Sequence, residues 1–525
     1  MAVLEKDHTD NGITIDHEEH TERPRPKGPG WDDVLRHRRI FAWCLLIFFL
    51  PMNFGYENSI SGSILAMPQF LEQFGHQTNG TMVLGSQDQQ ILNAALSVGV
   101  FCAAIIAGFL SDACGRRKAI MVASIICCAG VLVQYYATSI LMLFGGKVVA
   151  TLGFGLGQSV APVFISEIAP SSMRGICLAL INTMIVCGQW LASLTIFGAT
   201  FNSRSDAWRI PLICQIIPPG ISFLAAISFL PESPTWLLMK NRQDKAKEAF
   251  QRFNGPQLDP EPPLNQTLEA IAMEEESASG KHPWAECFQQ PSLRRTTIVI
   301  MTYLAQQLIG VNFIAGYLTY YYALAGVNSP LAIAQASYAI QLFGNMCSWP
   351  LIERLGRRQL IVGGCIAMTT LLPVIGGISI LNTPKALKAT VALMTVWGFL
   401  YQATLGACAY AIGGEIPTPA LRQKTYAINM VVTTVASTVV YQVMPILINS
   451  DKANLGGKIA FVFFAPSVPM CCYLFFCLPE TAGRSFDELE KLFQARVSAR
   501  KFRGYRIELN EAAVLHCKEG GIPTG

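Results

Sequence analysis

Charged side chains are scarce: Asp, Glu, Lys and Arg make up 14% of the 525 residues, against roughly 25% in soluble globular chains. That shortage excludes a soluble multidomain enzyme, which could not cover its surface for water. A basic excess is missing too. The formal net charge is +4, too small a footprint for a nucleic-acid binder. No Cys/His cluster has zinc-ligand spacing, and no nucleophile–base constellation appears. The chain therefore reads as a non-enzyme with no metal and no cofactor. Histidine is absent from the hydrophobic stretches, and His8, His17 and His20 sit in a polar N-terminal tail. Sixteen cysteines would suggest a disulfide framework in a small secreted chain. Here Cys44, Cys102, Cys127, Cys128, Cys187, Cys471 and Cys472 lie in apolar stretches, where a thiol is a small hydrophobe, so no disulfides are expected. The polar N-terminus lacks the form of a cleavable signal peptide.

What is present is length without charge. Stretches lacking Lys, Arg, Asp and Glu recur at 89–111, 119–146, 175–203, 210–231, 296–351, 359–384, 389–414, 425–450 and 459–479. About 20 apolar residues cross a hydrocarbon core of about 30 Å. With 40–67, a break near 138–147 and another near 326–330, about twelve helices are predicted. The alternating segments of about ten residues that a lipid-exposed β-barrel needs are absent. The chain is read as an all-α, multi-pass membrane protein whose surroundings are a lipid bilayer.

Lys and Arg collect in alternate connections. Arg116, Arg117 and Lys118 follow the second span, Arg174 the fourth, Arg354, Arg357 and Arg358 the eighth, and Arg422 and Lys424 the tenth. Residues 68–90 and 323–337 contain neither residue type. The positive-inside rule then places both termini in the cytosol, and a plasma-membrane location is expected. Asn79-Gly-Thr81 falls in the first external loop as a glycosylation sequon. The predicted organisation is a cytosolic tail (1–38), a six-helix half (39–231), a cytosolic linker with short amphipathic helices (232–295), a second six-helix half (296–479) and a cytosolic tail (480–525).

The halves repeat. Asp112-Ala-Cys-Gly-Arg-Arg117 matches Glu353-Arg-Leu-Gly-Arg-Arg358, Glu167…Arg174 matches Glu415…Arg422, and Pro231-Glu-Ser matches Pro479-Glu-Thr. The order is the same and the offsets are nearly equal. Two parallel six-helix halves, with substrate held between them near mid-membrane, are the transporter arrangement.

These motifs carry a resemblance to the sugar porter family of the major facilitator superfamily. The matching residues are Gly108…Asp112…Gly115-Arg-Arg117, Pro162…Glu167-Ile-Ala-Pro170…Arg174-Gly, Trp208-Arg-Ile-Pro211, Pro231-Glu-Ser-Pro-Thr-Trp-Leu237, Gln306-Gln-Leu-Ile-Gly-Val-Asn312, Glu353…Arg358 and Pro479-Glu-Thr-Ala-Gly-Arg484. Asn182…Gly188-Gln189, Gly316-Tyr-Leu-Thr-Tyr320 and Tyr410…Glu415-Ile-Pro…Leu421-Arg-Gln-Lys-Thr425 most resemble fungal maltose/α-glucoside permeases. The sequence departs from the family pattern at Ala113, Thr235 and Ala407.

Two charges stand alone in apolar sequence. Glu57 is the only ionisable side chain between Arg39 and Glu72 apart from Tyr56 and Cys44, and Lys147 is the only charged one between Lys118 and Glu167. An unpaired charge in a bilayer costs at least about 2.5–3.5 kcal/mol, so each wants a partner. At 1.5 Å per residue, Glu57 lies roughly 15 Å and Lys147 roughly 12 Å from the outer surface. A static salt bridge that orients two helices is one reading. The other is a proton switch, in which protonation of Glu57 releases Lys147. Proton-coupled sugar porters carry Asp and Arg at the corresponding positions, so the resemblance implies symport.

A sugar site needs uncharged amides and hydroxyls on an apolar wall with an aromatic face. Gln306, Gln307 and Asn312 fall near mid-membrane on span 7. Their spacing from the motifs adds Asn182, Gln341 and Tyr410, with Thr433 and Ser437 as secondary candidates. Tyr320, Tyr321 and Tyr322 resemble the family's external gate, or else form an interfacial aromatic belt. Asp112, Arg116, Arg117, Glu167 and Arg174, with Glu353, Arg357, Arg358, Glu415 and Arg422 in the second half, are predicted to form cytoplasmic latches. These are expected to be half solvated and worth about 1 kcal/mol or less per pair.

The leading expectation is a monomeric proton–sugar symporter working by alternating access, importing an α-glucoside, another oligosaccharide or a hexose, with the proton gradient as its driving force. The rivals are a transporter of another polyhydroxylated solute or secreted metabolite, and a non-transporting sugar sensor. Sensors in this family carry very long cytosolic tails, which the chain does not show after Pro479.

Overall fold

The computed structural model describes residues 38–505 except 79–80, 171–173, 256–259, 263, 266, 269–283, 325–328, 382, 419–420, 450–451, 483 and 485. Asn79 therefore lies outside the described residues. The side chains of Arg174, Tyr320, Glu353 and Arg422 do too.

The architecture is a helical bundle of twelve spans in two halves of six. In the first half, span 1 is the bent pair Arg38–Ile47 and Phe49–Ala66, with a 42° break. Spans 2 to 6 are Ser86–Cys114, Arg116–Tyr135, Ile140–Ile168, Arg174–Ala199 and Arg209–Ser228. In the second half, span 7 is Ser292–Leu308, continued by the π-helical turn Asn312–Gly316 and by Leu318–Leu324. Spans 8 to 12 are Pro330–Leu355, Arg357–Ser379, Pro384–Glu415, Arg422–Ile448 and Ile459–Cys477. Span 10 contains a second π-helical turn, Gln402–Gly406. Such turns concentrate at functional sites.

Among the described residues, ten helices are long and apolar enough to cross a membrane, and the bent pair makes an eleventh. The twelfth, span 8, has the length but is diluted by Gln335, Ser337, Gln341, Asn345 and Ser348. All five point inward rather than to lipid. Large apolar side chains such as Phe109, Leu141, Phe343 and Phe476 are exposed instead. In water such a belt would drive aggregation; around this bundle it meets acyl chains.

Local sequence explains the boundaries. Ser139 caps span 4 by accepting from Met142 N, and Thr383 caps span 10 by accepting from Ala386 N ahead of Pro384. Close packing rests on small residues. A Cβ at Gly55 or Gly188 would overlap the backbone carbonyls of Ile185 or Met52, so spans 1 and 5 touch backbone to backbone. Spans 3 and 4 do the same at Gly130, Gly146 and Gly153. Beyond the bundle, helix Phe486–Gln494 lies against the start of span 7, where Arg295 Nη1 is 2.7 Å from Glu490 Oε2.

Candidate functional site

Glu57 and Lys147 meet. Glu57 Oε1 lies 2.5 Å from Lys147 Nζ, and their side chains are 0% and 7% exposed. The other carboxylate oxygen accepts from Gln215 Nε2 on span 6 at 2.6 Å. Lys147 Nζ also donates to Ser61 Oγ at 2.6 Å, and that hydroxyl donates to the Glu57 carbonyl at 2.8 Å. Spans 1, 4 and 6 are thereby tied at one point. Losing one member of a buried pair costs about 3–5 kcal/mol, because the other charge is left uncompensated. Gln215 was not anticipated. An amide in an otherwise apolar, charge-free stretch is the only signal it offers.

The predicted substrate residues divide. Asn312 Nδ2 donates to Gln307 Oε1 at 2.8 Å across the π-helical turn. Gln306 turns away and donates a long 3.4 Å bond to Leu405 O on span 10. Asn182 Nδ2 donates to Gln402 Oε1 at 2.8 Å, joining spans 5 and 10. Gln341 is buried against span 10, seated by the missing side chain of Gly398. Tyr410 is half-buried, with its ring edge-on to Tyr303 at 5.8 Å; Tyr303 in turn meets Tyr426. Thr433 and Ser437 donate to their own helix, at Asn429 O and Thr434 O. Tyr321 and Tyr322 are buried, with Tyr322 Oη donating to Val391 O at 3.5 Å. They belong to the packed interior, not to an interfacial belt.

Residues that sequence reasoning missed complete the seam between the halves. Gln402 is one; another is Thr183, whose hydroxyl donates to Asn345 Oδ1 of span 8 at 2.5 Å. Toward the end away from the termini, Gln335 Nε2 donates to Ser193 Oγ, and Gln90 and Gln442 exchange amide-to-carbonyl bonds of 2.9 and 3.0 Å. Asn93 Nδ2 donates to Tyr317 Oη and Tyr441 O, Tyr441 Oη to Asn58 Oδ1, and Asn449 Nδ2 to Ser86 Oγ. The two halves are bonded together at this end.

At the termini end the repeat becomes geometry. In the first half Arg116 Nη2 is 2.8 Å from Glu167 Oε1, and its Nη1 is 3.2 Å from Asp112 Oδ1. Ser233 Oγ donates to Glu167 Oε2. In the second half Arg357 Nη2 is 3.2 Å from Glu415 Oε1, and Thr481 Oγ1 donates to Glu415 Oε2 at 2.6 Å. Two predictions need correction. The Arg116–Glu167 and Arg357–Glu415 pairs are not half solvated: side-chain exposure is 2% and 12% in the first, 8% and 23% in the second, whereas Asp112 beside Arg116 is 59% exposed. Nor do Arg117 and Arg358 pair with acids among the described residues. Arg117 donates to Ala226 O and Ile227 O, and Arg358 to Leu478 O and Phe475 O, satisfying last-turn carbonyls of spans 6 and 12 that have no partner within their own helix.

The acids missed here are Glu232 and Glu480. Glu232 accepts from the backbone N–H of Arg116 and Arg117, and Glu480 from those of Arg357 and Arg358, which open spans 3 and 9. A helix N-terminus favours an anion. Gly115 and Gly356 make the approach possible, with φ of 93° and 88°, and a Cβ on either would overlap the carboxylate. The repeated Pro-Glu-Ser and Pro-Glu-Thr carried that signal in the sequence.

Two six-helix halves, a sealed polar seam and charge clusters at matched ends define a membrane transporter of the major facilitator fold, not an enzyme. Residues 43–493 match the Sugar (and other) transporter family, and the chain belongs to it. It is similar to the general alpha-glucoside permease of Saccharomyces cerevisiae (28% identity over 479 residues, 89% of this chain and 77% of the permease). Maltose permease MAL31 of the same species is 27% identical, covering 90% of this chain and 78% of the permease. MFS transporter fmqE of Aspergillus fumigatus is also 27% identical, covering 91% and 92%. Among solved structures, the proton:xylose symporter XylE bound to 6-bromo-6-deoxy-D-glucose shares the fold, with TM-score 0.73, 19% identity and coverage of 87% and 99%.

Proposed function

We propose that this transporter imports an α-glucoside or a related sugar by proton symport, in the plasma membrane and with its termini in the cytosol. The observation that carries the coupling is the buried Glu57–Lys147 pair. An ionised Glu57 holds spans 1 and 4 together; a protonated one releases Lys147 and lets the helices part. The seam supplies the sugar contacts. Asn182, Gln307, Asn312 and Gln341 present amides, and Tyr410 presents a ring face for a pyranose. The Arg116–Glu167 and Arg357–Glu415 clusters act as latches at the cytosolic end, each within its own half. The α-glucoside and maltose permeases among the relatives support the substrate class.

Uptake of a labelled mono- and disaccharide panel in a transporter-null cell, with and without an uncoupler, tests this reading. Uncoupler-sensitive accumulation of an α-glucoside is expected; uncoupler-insensitive equilibration contradicts it. A second reading is export or import of another polyhydroxylated solute. No uptake of any sugar in the panel would select this reading.

A further inference from the structure

Glu57 is sealed from both faces, so a proton that reaches it must cross protein. Beside its partner Lys147 is a cavity of about 20 Å³ lined by Ser61, Gln89, Asn93, Gln134, Leu143 and Lys147. That exceeds the roughly 10–15 Å³ one water needs, and several polar neighbours are at hand. Gln134 is 1% exposed, and its Nε2 has no hydrogen-bond partner. It is seated there by Gly146, where a Cβ would come within 2.7 Å of Gln134 N. Asn93 closes the cavity by bonding to Tyr317 and Tyr441 of the other half, so parting the halves on that face opens it.

Lys147 lines this cavity and touches Glu57, whereas Glu57 does not line it. The other titratable groups near the carboxylate are Tyr56, which donates to Pro211 O, and Cys127, which accepts from Asn53 Nδ2. Arg209 of span 6 lies over Trp208 and Tyr135, and Cys214 faces Tyr56. Among the titratable groups of the described residues, Lys147 alone both lines the cavity and touches the Glu57 carboxylate.

Building on the symport reading, we propose that this cavity is a hydration site and that Lys147 relays the proton from it to Glu57, with Gln134 positioning the water. Lys147 first passes one ammonium proton to Glu57 Oε1, and the neutral amine this leaves takes the proton of a hydronium in the cavity. Water, a neutral Glu57 and an unchanged Lys147 ammonium result. Lysine suits this step because, unlike arginine, it can lose a proton inside a protein.

The test is time-resolved infrared absorption on the full-length transporter in liposomes after a downward pH jump. The signal is the protonated-carboxyl band that Glu57→Gln removes. In Gln134→Leu and in Leu143→Phe, which fills the cavity, the band should rise about fivefold more slowly, the weight of one lost hydrogen bond; Gln134→Asn should stay near the wild-type rate. Wild-type rates in both Gln134→Leu and Leu143→Phe overturn the relay while leaving symport intact. A wild-type transporter with no such band overturns the symport reading itself. Should Gln134→Leu fail to fold, Leu143→Phe alone decides.

Discussion

Lys147 Nζ lies 2.5 Å from Glu57 Oε1, and the two residues come from helices that share no connecting loop. Removing either charge strands the other. Lys147→Met should lower the melting temperature more than the double variant Glu57→Gln/Lys147→Met, since a lone buried charge costs about 3–5 kcal/mol and a neutral pair does not. Thermal unfolding in detergent reads the difference. Equal losses would mean that the groups do not interact.

The first-half latch is tight. Arg116 makes three contacts within 3.2 Å to the Glu167 carboxylate and one to Asp112. Arg116→Ala should therefore cost about 3–5 kcal/mol, the weight of stranding one member of a buried pair, and should raise labelling of a cysteine introduced at that end of the bundle. Wild-type labelling in Arg116→Ala would contradict the latch.

Gly115 and Gly356 sit at positive φ beneath Glu232 and Glu480. Gly115→Ala and Gly356→Ala should each cost at least about 1–2 kcal/mol, the left-handed penalty of a side chain, plus displacement of the acid. Thermal unfolding checks this, and wild-type stability in both would refute it.

Asn182 donates to Gln402 across the seam. Asn182→Ala should raise the KM for sugar about fivefold or more, the weight of one hydrogen bond, while leaving proton-driven accumulation qualitatively intact. Labelled-sugar kinetics measure it; an unchanged KM removes Asn182 from the sugar contacts.

The ion pair was legible because charge is rare between Arg39 and Glu72 and between Lys118 and Glu167, and helix rise alone set similar depths. The motif repeat likewise announced the twin clusters. Burial of the latches was not legible, because sequence does not show that Ser233, Thr481 and the linker cover them. The amides were harder still. Gln402, Asn345 and Gln215 look like any polar residue in an apolar run, and only packing decides whether they face the seam. Span 8 shows the converse: the inward amides that make it useful also weaken the hydrophobic signal that would reveal it.

The account rests on Glu57 as the coupling acid. The most direct measurement is accumulation of labelled maltose in vesicles under an imposed pH gradient, compared between wild type and Glu57→Gln. Wild-type vesicles should concentrate the sugar, while Glu57→Gln vesicles should reach equilibrium without accumulation and retain exchange. Accumulation by Glu57→Gln to the wild-type level would contradict the central claim.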